Sequence, residues 1–184
     1  MYEGQCPAVA LSRAEFWLSC GWAECARQFS ARAVILGPRR NIRSARDEAI
    51  DTTLERDATH LLFMDDDILV PRTVLPALLA QRKPIIGGLV HKDNGDPLVW
   101  VDAGDGEIPY YSHPRQGAFE CAAVAAGVML IEVGVLKKLR PLRRWLFNYD
   151  ETGRTMDVRF CRMARGAGFS VWCWPDVLCQ QVQH

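Results

Sequence analysis

The chain has 184 residues, enough for one domain with a proper core, and its 49% hydrophobic and 24% charged residues describe an ordinary globular protein. Lys+Arg and Asp+Glu both number 22, so no net field favours nucleic acid or an anionic membrane. No apolar run approaches the length of a membrane span and no charged-then-apolar leader opens the chain, so a cytoplasmic protein is the expectation.

In chain order, Ala8 to Phe29 reads as helix, with Phe16, Leu18 and Trp22 among small residues. "AVILG" (Ala33 to Gly37) is a short buried strand closed by glycine and proline. "NIRSARDEAIDTTLER" gathers Ile42, Ala45, Ala49, Ile50 and Leu54 on one helical side. "HLLFMD" is the next strand, and Pro71 suits the first turn of a helix running to about Gln81. "KPIIGGLV" reads as a strand ending in the loop "HKDNGDP"; Leu98 to Tyr111, rich in Gly, Asp and Pro, reads as a hairpin or irregular excursion. "AAVAAGVMLIEVGVLKKL" is strand then helix, "MDVRFCRMARGAG" helix, and "FSVWCWPDV" strand. This alternation predicts an α/β three-layer sandwich with a mostly parallel central sheet and helices on both faces.

Seven cysteines are present, an odd number with no C-x-x-C pair, and several lie inside apolar segments. Reduced, buried thiols fit this better than a disulfide framework or a zinc site.

The feature that demands chemistry is "THLLFMDDDILVP", Thr59 to Pro71, where Asp65, Asp66 and Asp67 follow an apolar strand. Adjacent carboxylates repel, and burying them without a partner is costly. Ligands gather at the carboxyl ends of strands in α/β sheets, and the triplet stands at such an end. Along an extended segment Asp65 and Asp67 share a face, offering hard oxygens suited to Mg²⁺ or Mn²⁺. A calcium EF-loop is excluded, since Val70 and Pro76 occupy the offsets of its glycine and final glutamate. The competing reading is a solubilised strand end or a cap for the following helix. Arg43 and Arg46 lie three apart on one helix face, and guanidinium groups suit a diphosphate; a solvated basic face is the alternative, and the one preferred for Arg39 and Arg40. Lys92, after the "GGLV" strand, could reach a phosphate from its loop.

In order, these segments resemble the GT-A-fold, family-2-like nucleotide-sugar glycosyltransferases of small bacterial and phage type. There an "aRn" helix precedes an apolar strand ending in D-x-D, then a helix and a strand closing in "GG", as in "RNIRSARDEAIDTTLERDATHLLFMDDDILVPRTVLPALLAQRKPIIGGLV". "AAGVMLIEVGVLKKL" is similar to the family's "G-x-mLi-r" segment, and "MDVRFCRMARGAGFSVWCWPDVLCQQVQH" to its ending. The resemblance spans roughly Pro38 to His184 and implies a single domain over 1–184, with a nucleotide-sugar half (about 1–97) and an acceptor half (about 98–184). It implies transfer of a sugar from a UDP- or GDP-linked donor to an acceptor hydroxyl, dependent on Mn²⁺ or Mg²⁺ and inverting. Asp65 and Asp67, with the late His184, would hold the ion; Asp65 or Asp66 would meet the ribose; Arg46, and less directly Arg43, would meet the diphosphate. Asp157 matches the second acid of the family's "ED" pair and would be the base, with helix capping as its structural alternative. Gly127 would let backbone approach the sugar or acceptor, or would serve strand packing.

Two departures stand out. Met156 replaces the family's usual glutamate. The opening "MYEGQCP" resembles only the tail of the family's "P-t-y" loop, so the first strand reads as missing or truncated, with a homo-oligomer as one way to fill the gap. Rival readings are a nucleotidyltransferase, although no glycine-rich basic loop is visible, and a catalytically silent sugar-nucleotide or glycan-binding module.

Overall fold

The computed structural model describes residues 8–12, 33–37, 42–65, 67–71, 73–92, 94–101, 116–149 and 155–181, the first two segments as backbone only. The strands are β1 (Ala8–Ser12), β2 (Ala33–Gly37), β3 (His60–Met64), β4 (Ile68–Leu69), β5 (Ile85–His91), β6 (Val99–Trp100), β7 (Phe119–Cys121), β8 (Ala123–Val124), β9 (Val128–Glu132) and β10 (Val171–Gln181). The helices are α1 (Ile42–Leu54), α2 (Val74–Ala80), α3 (Val133–Leu139) and α4 (Met156–Gly166), with a 3₁₀ turn at Arg140–Leu142.

Eight strands form one sheet in the order β2-β1-β3-β9-β5-β10-β4, with β7 also pairing β10; β6 and β8 form a separate pair. This corrects the mostly parallel expectation. The β1–β2, β1–β3 and β5–β10 pairs are parallel, whereas β3–β9, β5–β9, β10–β4 and β10–β7 are antiparallel. The reason is β9, which enters the middle of the sheet against the direction of both neighbours.

The missing first strand is a second correction. Ala8–Ser12 is a strand, not the start of a helix, and it lies between β2 and β3 with Ala10 opposite both Ile35 and Phe63. The gap that a second copy was expected to fill is thereby occupied, and "MYEGQCP" precedes this strand in the sequence. The rest of the expected Ala8–Phe29 helix lies outside the described residues, as do Arg39, Arg40, Tyr110 and Tyr111.

The alternation of side chains across the sheet builds two cores. Leu61 and Phe63 of β3, Met129 and Ile131 of β9, and Ile85 of β5 join Ile50, Leu136, Phe147 and Phe160 on the face covered by α1, α3 and α4. Leu62, Met64, Leu130, Ile86 and Val90 join Val74, Leu75 and Leu78 of α2 on the other. Helices therefore flank both faces of the sheet. Strand β10 changes phase midway. Val171 and Cys173 face the first core, but Val177 and Cys179 face the second. Opposite β5, Trp174 pairs with Gly88 and Leu178 with Leu89, leaving Pro175, Asp176 and Val177 unmatched. Three unmatched residues reverse the alternation, and Pro175, which has no N–H to donate, sits where the ladder is already interrupted. Gly87 accommodates the crowding beside it, because a Cβ there would lie 2.8 Å from a Val124 methyl and 2.9 Å from the Val128 carbonyl.

Cys121, Cys161, Cys173 and Cys179 are buried and free, and burial pushes the thiols of Cys161, Cys173 and Cys179 up to about 12. Such thiols stay protonated and serve as core residues. Cys6, Cys20 and Cys25 lie outside the described residues. Among the described residues no helix is long and apolar enough to cross a membrane.

Candidate functional site

Asp65 follows β3 directly. Its N–H donates to the Gly127 carbonyl (2.9 Å), extending the β3–β9 ladder by one step, and its own carbonyl accepts from Ile68 N–H (3.4 Å). The chain thus turns at the acidic triplet, and Asp67 leads into the edge strand β4. Asp65 and Asp67 therefore stand on a turn rather than along one extended face. Gly127 is required there, since a Cβ on it would fall 2.2 Å from Ile68 Cδ1 and 3.2 Å from Asp65 Oδ2. In the structure this glycine serves the close packing of the turn on β9.

The centre of the site is Arg46. Its side chain is only 6% exposed, and its guanidinium donates from Nη1 to Asp157 Oδ1 (2.6 Å) and from Nη2 to Asp65 Oδ2 (3.1 Å) and Oδ1 (3.2 Å). The rings of Phe147 and Phe63 lie 5.2 and 6.0 Å from its Cζ. Burial disfavours the cation, but Asp157 and Asp65 outweigh it and hold the guanidinium above its ordinary range. Arg46 thus ties residues 19 and 111 positions away in the chain to one point.

Asp157 lies in the first turn of α4, one residue beyond the N-terminal Met156. Neither Thr155 nor Asp157 caps this helix with a side-chain hydrogen bond; the Asp157 carboxylate spans from Arg46 to the Ala126 N–H (3.0 Å), just ahead of β9. Met156 is 5% exposed and belongs to the first core, so the position where the resembled family carries glutamate has become a packing position.

The balance of charge is the notable property. Burial pushes the Asp65 carboxyl above the usual carboxylate range; Arg46 opposes this, while Asp157 and Asp67 add to it. Asp65 thus feels two further carboxylates while sharing the Arg46 guanidinium with one of them, Asp157. Asp67 is held separately, its Oδ2 accepting from Gln181 Nε2 (2.8 Å) at the end of β10.

The other expected residues fall around this centre. Arg43 is not part of the Arg46 cluster: its Nη1 donates to Asn148 Oδ1 (2.8 Å) and its Cζ lies 5.3 Å from the Trp145 ring. Lys92 opens the loop after β5, its N–H donating to the Asp96 carbonyl and its carbonyl accepting from Gln180, the neighbour of the residue that holds Asp67. Asp66 and His184 lie outside the described residues. Among the described residues no group of three or more His, Cys, Asp or Glu is arranged to hold a metal ion. Sequence reasoning missed Gln181, Asn148 and Phe147, whose contacts span more than a hundred positions or come from an aromatic run that reads as plain core.

No protein-family model matches the chain, and no curated protein matches it by sequence. Its fold is similar to several solved structures. A197 from STIV superposes with a TM-score of 0.69 at 16% identity, over 98% of this chain and 87% of that one. GalNAc-T7, solved with UDP, GalNAc and Mn²⁺, gives 0.56 at 9% identity, over 100% of this chain and 45% of that one. The inositol-1-phosphate CTP transferase of T. maritima gives 0.55 at 10% identity, over 97% and 89%. At these identities the likeness is one of fold: a Rossmann-like α/β layout shared with a glycosyltransferase and a nucleotidyltransferase.

Proposed function

We propose that the chain is a transferase of nucleotide-linked sugars, a single domain over 1–184 whose first half takes the donor and whose second half takes the acceptor. Its reaction moves a sugar from a nucleotide-diphosphate donor to a hydroxyl, with inversion. The observation that carries the reading is the acidic cluster at the end of β3, where Arg46 holds Asp65 at 3.1 Å and Asp157 at 2.6 Å while Asp67 also acts on the Asp65 carboxyl. A divalent cation suits such a cluster, and the donor chemistry is hard oxygen, which fits Mn²⁺ or Mg²⁺. Asp65 and Asp67, with His184, would hold the ion, and Asp65 or Asp66 would meet the ribose. When bound, the ion neutralises charge building on the departing diphosphate.

The chain's own residues divide the remaining work. Asp157 takes the proton of the acceptor hydroxyl; each of its oxygens accepts one hydrogen bond here and keeps a second lone pair. Arg46 positions the two carboxylates across the site instead of meeting the phosphates itself. Lys92, in the loop after β5, and Arg43, which also donates to Asn148, would supply phosphate and nucleotide contacts.

The test is turnover of UDP- and GDP-sugars with Mn²⁺ by wild type, Asp67→Ala and Asp157→Asn. Loss of activity in both variants is expected, with Mn²⁺ affinity lost only in Asp67→Ala; equal turnover by Asp67→Ala and wild type would remove the metal role. Nucleotidyl transfer is the second reading, favoured by the coverage of the T. maritima enzyme along 89% of its length. Release of pyrophosphate from CTP or UTP in the presence of a sugar phosphate, with no turnover of sugar nucleotides, would establish it instead. UDP binding by calorimetry with neither activity would mark a silent binding module.

A further inference from the structure

Charge is balanced over the whole chain but not over its surface. Between Val133 and Tyr149 there is no acidic residue, and Lys137, Lys138, Arg140, Arg143 and Arg144 crowd into eight positions. Arg140 is spoken for: its guanidinium donates to Asp47 (2.9 Å), to Asp51 and to the Arg144 carbonyl (2.8 Å). Among the described residues no ion pair involves Lys137, Lys138, Arg143 or Arg144, and all four are exposed.

At the centre of these cations the 3₁₀ turn presents Leu142, 60% exposed, next to exposed Pro141; Tyr149, 62% exposed, closes the same segment. The turn is built to hold that shape. Leu139 and Leu146 are fully buried on either side, Asp47 accepts from the Leu146 (2.9 Å) and Phe147 (3.4 Å) N–H groups, and the Arg143 N–H returns to the Arg140 carbonyl. A large apolar side chain exposed on a hydrogen-bonded turn and flanked in sequence by exposed cations is costly in water and useful against a layer that is anionic outside and apolar beneath.

We propose that the Lys137–Tyr149 segment docks the protein on an anionic phospholipid surface, with Leu142 entering the headgroup–acyl boundary and Lys137, Lys138, Arg143 and Arg144 facing lipid phosphates. A nucleic acid fits less well. The segment's largest ring, Trp145, has the Arg43 and Arg144 guanidinium groups over it at 5.3 and 5.5 Å and is not open for base stacking, and Leu142 has no role against a polar strand. The same segment runs within three residues into Phe147, against Arg46, so docking would set the acidic site beside the membrane. The proposal does not depend on which transfer reaction the site performs.

The experiment is flotation of the full chain with vesicles of phosphatidylcholine alone and of phosphatidylcholine with phosphatidylglycerol. Binding only to the anionic vesicles, abolished by high salt, is expected. Near an anionic surface each cation contributes about fivefold in affinity, so Arg143→Gln with Arg144→Gln should weaken binding by about twenty-five-fold. Leu142→Asn should weaken it by about tenfold at unchanged charge. These side chains are exposed, so both variants should keep the wild-type unfolding temperature. Equal binding to both vesicle types, no binding to either, or wild-type binding by the double variant would overturn the proposal. Tighter binding to a single-stranded oligonucleotide than to anionic vesicles, indifferent to Leu142→Asn, would overturn it in favour of a nucleic-acid surface.

Discussion

Replacing Arg46 by methionine keeps most of the side chain's bulk and removes the charge that joins Asp65 to Asp157. The guanidinium makes three hydrogen bonds to these carboxylates while 6% exposed; the carboxylates themselves are 23% and 18% exposed. Removing one member of a buried ionic cluster costs about 3–5 kcal/mol, because the remaining charges lose the one that offset their burial. Since the two carboxylates keep some contact with water, the lower end applies, about 3 kcal/mol. Urea unfolding at neutral pH, followed by tryptophan fluorescence, should show this loss. Acidity supplies a second signature. Without the guanidinium the Asp65 carboxyl loses the charge that opposes its upward shift, so the variant regains stability as pH falls and protonation of Asp65 removes the repulsion, and its deficit against wild type narrows. Mn²⁺ at a hundredfold its dissociation constant should add about 2.7 kcal/mol to either folded protein, and should narrow the deficit by as much as the variant, without the competing guanidinium, binds the ion more tightly than wild type. A deficit below about 0.5 kcal/mol at neutral pH, or one that widens with acid, would refute the reasoning.

Gly127→Ala should destabilise by about 1–3 kcal/mol through overpacking against Ile68, and Ile68→Val, which deletes the offending Cδ1, should restore most of the lost unfolding temperature; no recovery would place the strain elsewhere. His60 is held below its ordinary pKa of 6.5 by burial, with Glu132 opposing. Its contribution is fully present above pH 6.5 and is lost as pH falls towards the lower folded-state value, so between pH 7.5 and 5.5 wild type should lose stability more steeply than His60→Gln, whereas matching slopes would dismiss the effect.

The segments with a strong period were legible. Strands β2, β3, β5 and β9, and helices α1, α3 and α4, stand where the apolar spacing puts them. β1 was not, because Ala-Val-Ala-Leu-Ser suits a helix as well as a strand, and only its place between β2 and β3 decides. Strand direction was not legible either. Helices between strands imply parallel crossovers, but β9 arrives through the long excursion after β5 and runs the other way. Helix α2 begins at Val74, three residues after Pro71, with Pro76 in its own first turn. At the site, the acidic triplet announced itself as a cluster of like charges at a strand end. What it sits against could not be foreseen: the partners of Arg46, Arg43 and Asp67 come from Asp157, Asn148 and Gln181, and no local pattern specifies a contact across a hundred positions.

The interruption in β10 also fixes the length of the chain there. With Pro175, Asp176 and Val177 unmatched, deleting one residue would leave an even offset and turn Cys179 towards the opposite layer. Gln181 would rotate with it and release the carboxylate of Asp67. Substitutions at the exposed Asp176 are therefore tolerable in a way that single-codon deletions are not, and a lineage carrying this site should vary in the identity of residue 176 long before it varies in the number of residues between Trp174 and Leu178.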